Sequence, residues 1–390
     1  MYNYIPLEQA ADILDSYRKP VNSKERLNLN KGKPLDELFP YYGATGQVGW
    51  IDSFLTDGEY ILLGEDGAPF LNPYAEKAYI IHGKTWVNNH AHILRSKTNN
   101  EFLCYYLNYF NYKKYVSGTT RLKLTQAQMR KIPIPNIPSD EQSRIVARIE
   151  ELFSKLDKAV DTLKTTKEQL EVYRQAVLKD AFQEKENIIR LGDAIEKPRY
   201  GTSKKCDYPC TANSTAVLRI PNIDTKNGRV DSSDLKYAEF NEKELEQLSL
   251  KNGDILIIRS NGSISLVGSS AIIRKCDTDK TYAGYLMRLR ILNKEKLLPK
   301  YLLYYLSSPD ARRYIESVAK STSGVNNINS QEISKLCVPL SSIEKQEKTV
   351  AEIEMKLSVY HEIEKSVDTV LVQADAMRQS ILKQAFEGAL

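Results

Sequence analysis

The side chains best suited to chemistry in this sequence are amides, hydroxyls, cations and imidazoles that lie in a few short polar segments. The segment NNHAH (88–92) brings together amide and imidazole groups, which can hydrogen-bond to the edges of nucleic-acid bases. The segment SGTTRLKLTQ (117–126) combines hydroxyl groups with two cations, a mixture that suits contacts to phosphates or bases. In the second half of the chain, RSNGS (259–263) and STSGVNNINSQ (321–331) offer similar groups. These segments predict the binding of nucleic acid.

The individual contacts are predicted from residue type. In the first half of the chain we expect them from Arg18, Lys19, Tyr41, Tyr42, Asn88, Asn89, His90, His92, Thr119, Arg121 and Lys123. In the second half we expect them from Arg199, Tyr200, Arg219, Arg259, Ser260, Asn261, Ser263, Ser323, Asn326 and Asn327. Many of the 24 tyrosines stand near Lys or Arg and suit contacts to a nucleic-acid backbone, although simple packing is the ordinary role of most tyrosines.

The sequence carries no complete motif for catalysis. The nearest match to the Asp/Asn-Pro-Pro-Tyr/Phe loop of amino-methyltransferases is Asn72-Pro73-Tyr74, which lacks the second proline. The glycines of YYGATGQVG (41–49) do not follow the GxGxxG spacing, and no GxxxxGK[ST] loop for ATP is present. No acidic cluster ending in Glu-x-Lys supports a nuclease core, and only four histidines are available for acid–base catalysis. We therefore expect no catalytic residue and no cofactor of the chain's own.

Two small groups of side chains could bind a metal, and neither is complete. His90 and His92 offer two ligands on one strand face, which is too few, so a structural or polar role is favoured. Cys206 and Cys210 form one CxxxC pair, whereas a structural zinc site usually has four ligands. Five cysteines in a long chain argue against a disulfide framework and favour ordinary thiols in a reducing cytoplasm. We expect no metal site.

An internal repeat determines how these segments are positioned. The nonapeptide RQAVLKDAF begins at Arg174 and RQSILKQAF begins at Arg378, an offset of 204 residues. The same offset relates QSRIVARIE at Gln142 to QEKTVAEIE at Gln346. The chain is therefore two copies of one unit, each a mixed domain followed by a long helical segment. Further pairs at shifted offsets are 57–67 with 252–262, 101–107 with 300–306, and 113–116 with 312–315.

The two helical segments follow a 4-3 spacing of apolar residues that is typical of a coiled-coil seam. Each is about 45 residues long, roughly 65 Å at 1.5 Å per residue, and contains no Gly or Pro within the pattern. Two related amphipathic helices in one chain predict that they pack on each other. Two separate helices, each docked on its own domain, are the alternative. The expected seam residues are Ile149, Leu152, Leu156, Leu163, Leu170, Ile353, Tyr360, Val367 and Ile381, and the pattern also includes positions 356, 363, 370 and 377.

The regions before the helices read as α+β domains. Short apolar runs at 60–64, 78–82, 254–260 and 270–275 predict strands, and Gly, Asn, Asp and Ser separate them. No regular alternation of strand and helix is visible, so a doubly wound parallel sheet is not expected. The predicted boundaries are 1–137 and 187–341 for the two mixed domains, and 138–186 and 342–390 for the two helices.

Charge is distributed according to these boundaries. The net charge of +5 over 390 residues divides into +3 and +7 on the two mixed domains and −2 and −3 on the two helices. Because phosphate binding requires positive charge, the mixed domains are the expected nucleic-acid-facing parts, and the helices are expected to connect them or dock proteins. The sequence contains no run of 18 apolar residues, so no membrane span is expected. The N-terminal residues do not follow the pattern of a signal peptide.

The duplicated plan of domain and long helix resembles the specificity (S) subunit of type I restriction–modification systems. The matching segments are YYGATGQVGWID, DGEYILLGEDGAPF, WVNNHAHIL, SGTTRLKLTQ, KIPIPNIPSDEQ and the two RQ-x-x-LK-x-AF helix ends. Their order and their duplication carry the resemblance, which covers essentially the whole chain.

The resemblance implies a fold and a set of partners. Each mixed domain would be a target recognition domain, of mainly antiparallel β structure, that reads one half of a bipartite, asymmetric site in double-stranded DNA. The two helices would pair as an antiparallel coiled coil and act as a ruler for the unread spacer. Two modification (methyltransferase) subunits and two restriction (translocase and nuclease) subunits would dock on the chain. They would supply the S-adenosylmethionine, ATP and Mg chemistry in the cytoplasm, and the chain itself would be non-catalytic.

Two other interpretations compete with this one. The chain could be a structural coiled-coil scaffold with two protein-binding heads. It could also be a stand-alone modification enzyme, which the missing catalytic loop disfavours. DNA binding that is salt-sensitive and sequence-selective in the presence of a modification subunit separates the first interpretation from the scaffold.

Overall fold

The chain divides into two compact units that both contain parts of the long helices. The computed structural model describes residues 3–184, 187–208, 211, 213–322 and 324–388. The first unit comprises residues 1–165 and 367–390, and the second comprises residues 166–366. The long helices span Ser139–Ala181 and Ile343–Phe386, so each helix begins in one unit and ends in the other.

The first unit contains two four-stranded sheets and a two-stranded ribbon. One sheet is antiparallel throughout, in the spatial order Ala11–Ile13, Ala91–Ser96, Tyr60–Gly64 and Ala78–Ile81. The other has the order Gly46–Ile51, Phe39–Gly43, Lys84–Val87 and Thr56–Asp57, and its two central strands are parallel. Tyr4–Pro6 pairs with Pro133–Pro135 in the ribbon. The short helices of this unit are Leu7–Ala10, Ser23–Leu29, Asn100–Tyr109 and Gln126–Met129.

The second unit contains one six-stranded sheet, two three-stranded sheets and the equivalent ribbon. The six strands lie in the order Arg199–Tyr200, Leu286–Leu289, Ile255–Ile258, Ser270–Ile272, Arg229–Val230 and Ile223–Asp224. The smaller sheets have the orders Lys236–Glu239, Ser214–Leu218, Thr281–Tyr282 and Ser260–Asn261, Val325–Asn327, Lys320–Thr322. Asn187–Arg190 pairs with Cys337–Leu340 in the ribbon. The short helices are Leu191–Ala194, Glu242–Gln247, Pro299–Leu306, Pro309–Val318 and Ser330–Ser334.

The α+β class predicted from the sequence is confirmed. Most strand pairings are antiparallel, and all four predicted apolar runs contain a strand. One detail of the sequence analysis is wrong. The segment WVNNHAHIL is not a single strand, because a turn at 88–90 separates the strand Lys84–Val87 from the strand Ala91–Ser96. No helix of the described residues has an apolar stretch long enough to cross a bilayer.

The long helices run antiparallel where they meet. In the second unit, the Tyr360 hydroxyl donates a hydrogen bond to Glu171 at 2.7 Å, and Lys345 forms an ion pair with Glu184 at 2.8 Å. Residue numbers therefore rise along one helix as they fall along the other. In the first unit, the late residue Arg378 pairs with the much earlier Asp157.

Each long helix carries a row of buried residues that are spaced seven positions apart. Ile149, Leu156 and Leu170 are buried on the first helix, and Ile353, Tyr360 and Val367 are buried on the second. Leu152, Leu163 and Ile381 are half-buried.

On the second helix, the predicted seam positions 356, 363, 370 and 377 are wrong by one residue where the buried residues are 357 and 364. Ile363 and Val370 are more than two-fifths exposed, whereas Leu357 and Glu364 are buried. Glu364 forms an ion pair with Lys226 at 2.7 Å, so this buried position of the seam holds a charged side chain instead of an apolar one.

The aromatic end of each long helix packs into the core of one unit. Phe386, at the end of the second helix, is 3% exposed and contacts three aromatic side chains of the first unit. Its ring centroid lies 5.4 Å from Phe102, 5.2 Å from Tyr106 and 5.5 Å from Tyr109. The helix that provides these three side chains is Asn100–Tyr109, which precedes the first long helix.

The end of the first long helix makes the corresponding contact in the second unit. Phe182 is 3% exposed, and its ring centroid lies 5.1 Å from Tyr301 and 5.2 Å from Tyr305. The repeated RQ-x-x-LK-x-AF ends are thus exchanged, because each follows one mixed domain in the chain and packs on the other. This exchange excludes the alternative in which each helix docks only on its own domain.

The beginning of each long helix is tied to the preceding domain by an equivalent buried glutamine. Gln142 donates to the Ile137 carbonyl at 2.8 Å and accepts from the Thr98 hydroxyl at 2.9 Å. Gln346, which is fully buried, donates to the carbonyls of Lys296 and Ser341 at 2.8 and 2.9 Å. The sequence repeat is therefore also a repeat of buried hydrogen bonds.

Replacing Phe386 with alanine is expected to destabilise the first unit by about 3–5 kcal/mol, the usual cost of emptying an aromatic site in a core. The measurement is the free energy of unfolding by denaturant. Phe54→Ala is the matched control, because Phe54 is 40% exposed and should cost less than half as much. Equal losses in the two variants would show that the helix end is not part of the core.

Candidate nucleic-acid interface

In the first unit, the predicted polar segments meet at the turn that follows the buried strand Tyr60–Gly64. The segment 117–124 folds back on itself through paired backbone hydrogen bonds between Ser117 and Lys123 at 2.8 and 3.0 Å. Leu124 then donates its backbone N–H to the Glu65 carbonyl at 2.7 Å. Thr119 lies exposed in this fold-back segment. The geometry brings two regions that are distant in sequence onto one surface.

Two carboxylates of this turn hold three of the predicted cations. Glu65 pairs with Arg18 at 2.5 Å and with Lys123 at 3.2 Å. Asp66 accepts a hydrogen bond from Arg121 at 2.6 Å. Arg18 is only 16% exposed, whereas Arg121 and Lys123 are 64% and 49% exposed. Arg121 and Lys123 can therefore still reach a phosphate, while Arg18 chiefly fixes the turn.

The buried imidazole of His92 stabilises the same turn through hydrogen bonds to Asp15 and to the backbone of Leu124. Its Nδ1 lies 2.7 Å from the Asp15 carboxylate and its Nε2 lies 3.0 Å from the Leu124 carbonyl. Both ring nitrogens are therefore engaged inside the unit. Burial by itself raises the pKa of Asp15. The His92 contact, together with hydrogen bonds from the Ile93 backbone and Gln126, brings that pKa below its ordinary value.

Three predicted DNA contacts of the first unit are structural residues instead. His92 is fully buried, and Tyr41 is 3% exposed with its hydroxyl bonded to the backbone of Val21 at 3.1 and 3.2 Å. Asn88 is 8% exposed and accepts a hydrogen bond from the His90 backbone at 2.8 Å. The polar side-chain atoms of Tyr41 and His92 are bonded inside the unit, and the Asn88 side chain is buried with its Oδ1 bonded. The structure therefore gives all three a structural role.

The other predicted residues of the first unit keep exposed surface. Lys19 and Asn89 are exposed, and Tyr42 is half-buried beside Tyr79. His90 lies in the turn at 88–90 and places Nδ1 2.8 Å from Asp66, with 39% of its side chain exposed. These residues stay candidates for DNA contact, together with Thr119, Arg121 and Lys123.

In the second unit, four predicted residues converge on a basic cleft of about 690 Å³. They are Tyr200, Arg219, Arg259 and Ser260. The remaining wall comes from the segment 201–204 and from residues at 206, 220–221, 236 and 283–285, and no carboxylate lies among the lining residues that the structure describes. We call this cavity the basic cleft. The lining residues not predicted from the sequence are Gly201, Thr202, Ser203, Lys204, Cys206, Ile220, Pro221, Lys236, Ala283, Gly284 and Tyr285.

The cations of the basic cleft differ in how they are paired. Arg219 donates to the carboxylate and the backbone carbonyl of Asp234, both at 2.9 Å. Lys204 pairs with Glu244 at 2.7 Å. Arg259 instead lies over the ring of Tyr200, with 4.5 Å between the guanidinium carbon and the ring centroid.

The remaining predicted residues of the second unit lie beside the cleft. Asn326 and Asn327 pair in a short ladder with Asn261 and Ser260, and Ser263 follows in the exposed turn. Arg199 is exposed and lines a second cleft of about 860 Å³ on the other side of the segment 200–203. Ser323 lies outside the described residues.

Sequence reasoning missed Lys204, Lys236 and Tyr285, which complete the basic cleft. Lys204 belongs to the polar run GTSKK directly after Arg199 and Tyr200, which was a usable signal. Lys236 and Tyr285 carried no local signal, because only the folding of separate strands brings them to one cavity.

No group of three or more His, Cys, Asp or Glu side chains suited to a metal ion occurs among the residues that the structure describes. His90 and His92 are directed to different carboxylates, Asp66 and Asp15. Cys206 is a free thiol in the wall of the basic cleft, and Cys210 lies outside the described residues.

Comparison with known proteins identifies the family. A family model described as the type I restriction modification DNA specificity domain matches residues 8–172. A putative type I restriction enzyme specificity subunit from Haemophilus influenzae is 29% identical over 316 residues, 77% of this chain and 74% of that protein. The EcoKI specificity subunit of Escherichia coli is 28% identical over 289 residues, 70% of this chain and 61% of that protein. The chain is similar to type I specificity subunits over most of its length.

Solved structures share the fold of this chain over its whole length. A chain from a type I restriction–modification assembly superposes with a TM-score of 0.70 at 17% identity, covering 100% of this chain and 98% of that one. The HsdS subunit of Thermoanaerobacter tengcongensis superposes with a TM-score of 0.52 at 16% identity, covering 100% and 97%. The names of the matching family model and relatives describe a DNA specificity domain and specificity subunits of type I restriction enzymes.

Replacing Asp15 with asparagine is expected to make the first unit less sensitive to acid. The folded pKa of Asp15 lies below its ordinary value, so its stabilising contribution is present at neutral pH and is lost as pH falls below about 4. At pH 7 the variant should be less stable by about 1–3 kcal/mol, because a buried charged hydrogen bond is removed. Below about pH 4, the free energies of unfolding of the wild type and of Asp15→Asn should converge.

The measurement is the free energy of unfolding at several pH values between 7 and 3. Asp52→Asn is the control, because Asp52 forms a more exposed pair with Lys33 at 3.0 Å and should change stability by less than about 1 kcal/mol. A constant difference between wild type and Asp15→Asn across this pH range would contradict the assignment.

Proposed function

We propose that this specificity subunit reads a two-part DNA target, with one half-site bound by each unit and the spacer length set by the two long helices. The observation that carries the proposal is the duplicated fold whose two polar surfaces differ in chemistry. In the first unit, the turn after the buried strand carries Glu65 and Asp66, which pair with the surrounding cations. The equivalent turn of the second unit carries Ser260 and Asn261, and Arg259 beside it pairs with no carboxylate of the described residues. Two readers with different surfaces fit an asymmetric target.

Electrostatics supports DNA as the ligand. The two mixed domains hold the positive charge of the chain, and the exposed cations Arg121 and Lys123 lie beside the exposed polar residues Asn89 and Thr119. Cations next to amides and hydroxyls combine phosphate attraction with groups able to read base edges. Binding should therefore weaken steeply with salt.

The ruler role rests on the long helices. They contain 43 and 44 residues, so each is about 65 Å long at 1.5 Å per residue. Each is anchored in one unit by a buried glutamine and in the other by a buried phenylalanine. A paired helix anchored at both ends resists bending and rotation, and both properties determine which half-site spacing fits B-DNA.

The outer surface of the helices supports docking of the modification subunits. Several large apolar side chains of the two helices are at least two-fifths exposed, in both units, and would offer apolar contacts to a docked protein. They are Val172, Tyr173, Met355, Val359, Ile363, Val370, Val372 and Met377. We assign to this surface two modification subunits, which bring S-adenosylmethionine. Two restriction subunits complete the assembly with ATP and Mg, in the cytoplasm where the DNA lies.

The proposal is tested by exchanging residues 1–137 with the equivalent region of a relative that reads a different sequence. The exchange should change one half-site and leave the other half-site and the spacer unchanged. The donor must keep aromatic residues at the positions of Phe102, Tyr106 and Tyr109, because Phe386 packs on them.

The readout is methylome sequencing of the host with the wild-type gene, with the exchanged gene and without either. Binding of the complex with its modification subunit at 50 and 200 mM salt gives an independent measure of phosphate contacts. A simultaneous change in both half-sites would contradict the two-reader proposal. Salt-insensitive binding without sequence preference would favour the scaffold interpretation.

A further inference from the structure

Arg259 occupies the most rigid position in the basic cleft. It follows the fully buried central strand Ile255–Ile258, and its own backbone is paired on both sides. Its N–H donates to the Tyr285 carbonyl and its carbonyl accepts from Ile328, both at 2.9 Å. A side chain that starts from so fixed a backbone can be placed accurately against a ligand.

The guanidinium of Arg259 is oriented but largely unused. Its Cζ lies 4.5 Å from the ring centroid of Tyr200, and Nη1 donates to the Gly284 carbonyl at 3.2 Å. Nε is buried without a hydrogen-bond partner among the described residues. No carboxylate of the described residues pairs with Arg259, in contrast to Arg219 with Asp234. Of the five N–H donors of a guanidinium, most are therefore left for a ligand.

The first unit has no equivalent of this arginine. In the repeat, the segment 57–67 corresponds to 252–262, so Gly64 stands where Arg259 stands in the second unit. A Cβ added to Gly64 would lie 2.4 Å from the Cβ of Ala68 and 3.1 Å from the Ala44 carbonyl, so that unit has no room for a side chain there. Arg259 is a feature of one reader only.

We propose that Arg259 is a specificity-determining residue that reads one guanine in the half-site bound by the second unit. This inference rests on the proposed function of that unit. The remaining Nη hydrogens of Arg259 match the O6 and N7 acceptors that guanine presents in the major groove, an arrangement that a planar, forked cation can bind bidentately. The contact with Tyr200 and the hydrogen bond to Gly284 hold the guanidinium in place. Lys236 lines the same cleft as a point charge suited to a flanking phosphate.

The test uses the complex with its modification subunit and duplexes that carry the target found by methylome sequencing. Each guanine of the half-site read by the second unit is replaced in turn by 7-deazaguanine, which keeps base pairing but lacks the N7 acceptor. Wild type should bind one of these duplexes at least 5-fold more weakly. Replacing that guanine with another base should weaken binding by about 5- to 150-fold.

Arg259→Lys should lose both effects, because lysine keeps the charge but not the fork. Lys236→Gln is the matched control in the same cleft. It should weaken binding to all duplexes, lower the salt slope by about 1 and keep the sensitivity to 7-deazaguanine. Thermal unfolding of each variant checks that the second unit is folded, and the 7-deazaguanine series in wild type needs no variant at all.

Indifference of wild type to every 7-deazaguanine, or equal sensitivity in wild type and a folded Arg259→Lys, would overturn the assignment. A half-site that contains no guanine on either strand would overturn it as well. These results leave sequence-selective binding intact, so they are distinct from failure of the proposed function, in which the wild-type complex shows no sequence preference.

Discussion

The structure depends on the packing of one aromatic side chain at the end of each long helix. Phe386 completes the core of the first unit and Phe182 completes that of the second, and both are 3% exposed. Because each phenylalanine ends a helix that started beside the other mixed domain, both helices must run antiparallel and each must belong to two units. The buried columns along the helices and the buried glutamines at their beginnings follow from that arrangement.

On this shared frame the two units differ where the polar segments meet. In the first unit the turn after the central strand carries Glu65 and Asp66, which hold the surrounding cations in place. In the second unit the corresponding residues are Ser260 and Asn261, and the residue before them is an arginine in place of a glycine. With no carboxylate at this turn, Arg259 has no acidic partner among the described residues, although Arg219 and Lys204 in the same cleft pair with Asp234 and Glu244. The difference at Arg259 thus arises from a few substitutions at one turn.

Sequence reasoning succeeded where the determining forces are local. The repeat, the length of the helices and the four apolar strands were predictable, because hydrophobic periodicity and turn residues act over a few positions. The exposure of single polar residues was not predictable. Tyr41 and His92 have the chemistry of DNA contacts, yet tertiary packing buries them, and their polar atoms bond to Val21, Asp15 and Leu124. The basic cleft was predictable only in part, because Lys236 and Tyr285 reach it from distant strands. On the second helix, the sequence predicted a buried residue at Ile363, whereas the structure buries Glu364. A hydrophobic pattern does not predict a buried glutamate, because the glutamate is held by its ion pair with Lys226.

The central claim is that the paired helices set the distance between two DNA readers. The most direct test inserts seven residues into both helices, after Thr165 and after Ser366, where the chain passes from one unit to the other. Seven residues preserve the period of the buried columns and add about 10 Å, which corresponds to about three base pairs at 3.4 Å each. Methylome sequencing should then show both half-site sequences unchanged and a spacer longer by about three base pairs. An unchanged spacer, with the inserted protein folded and active in methylation, would contradict the claim.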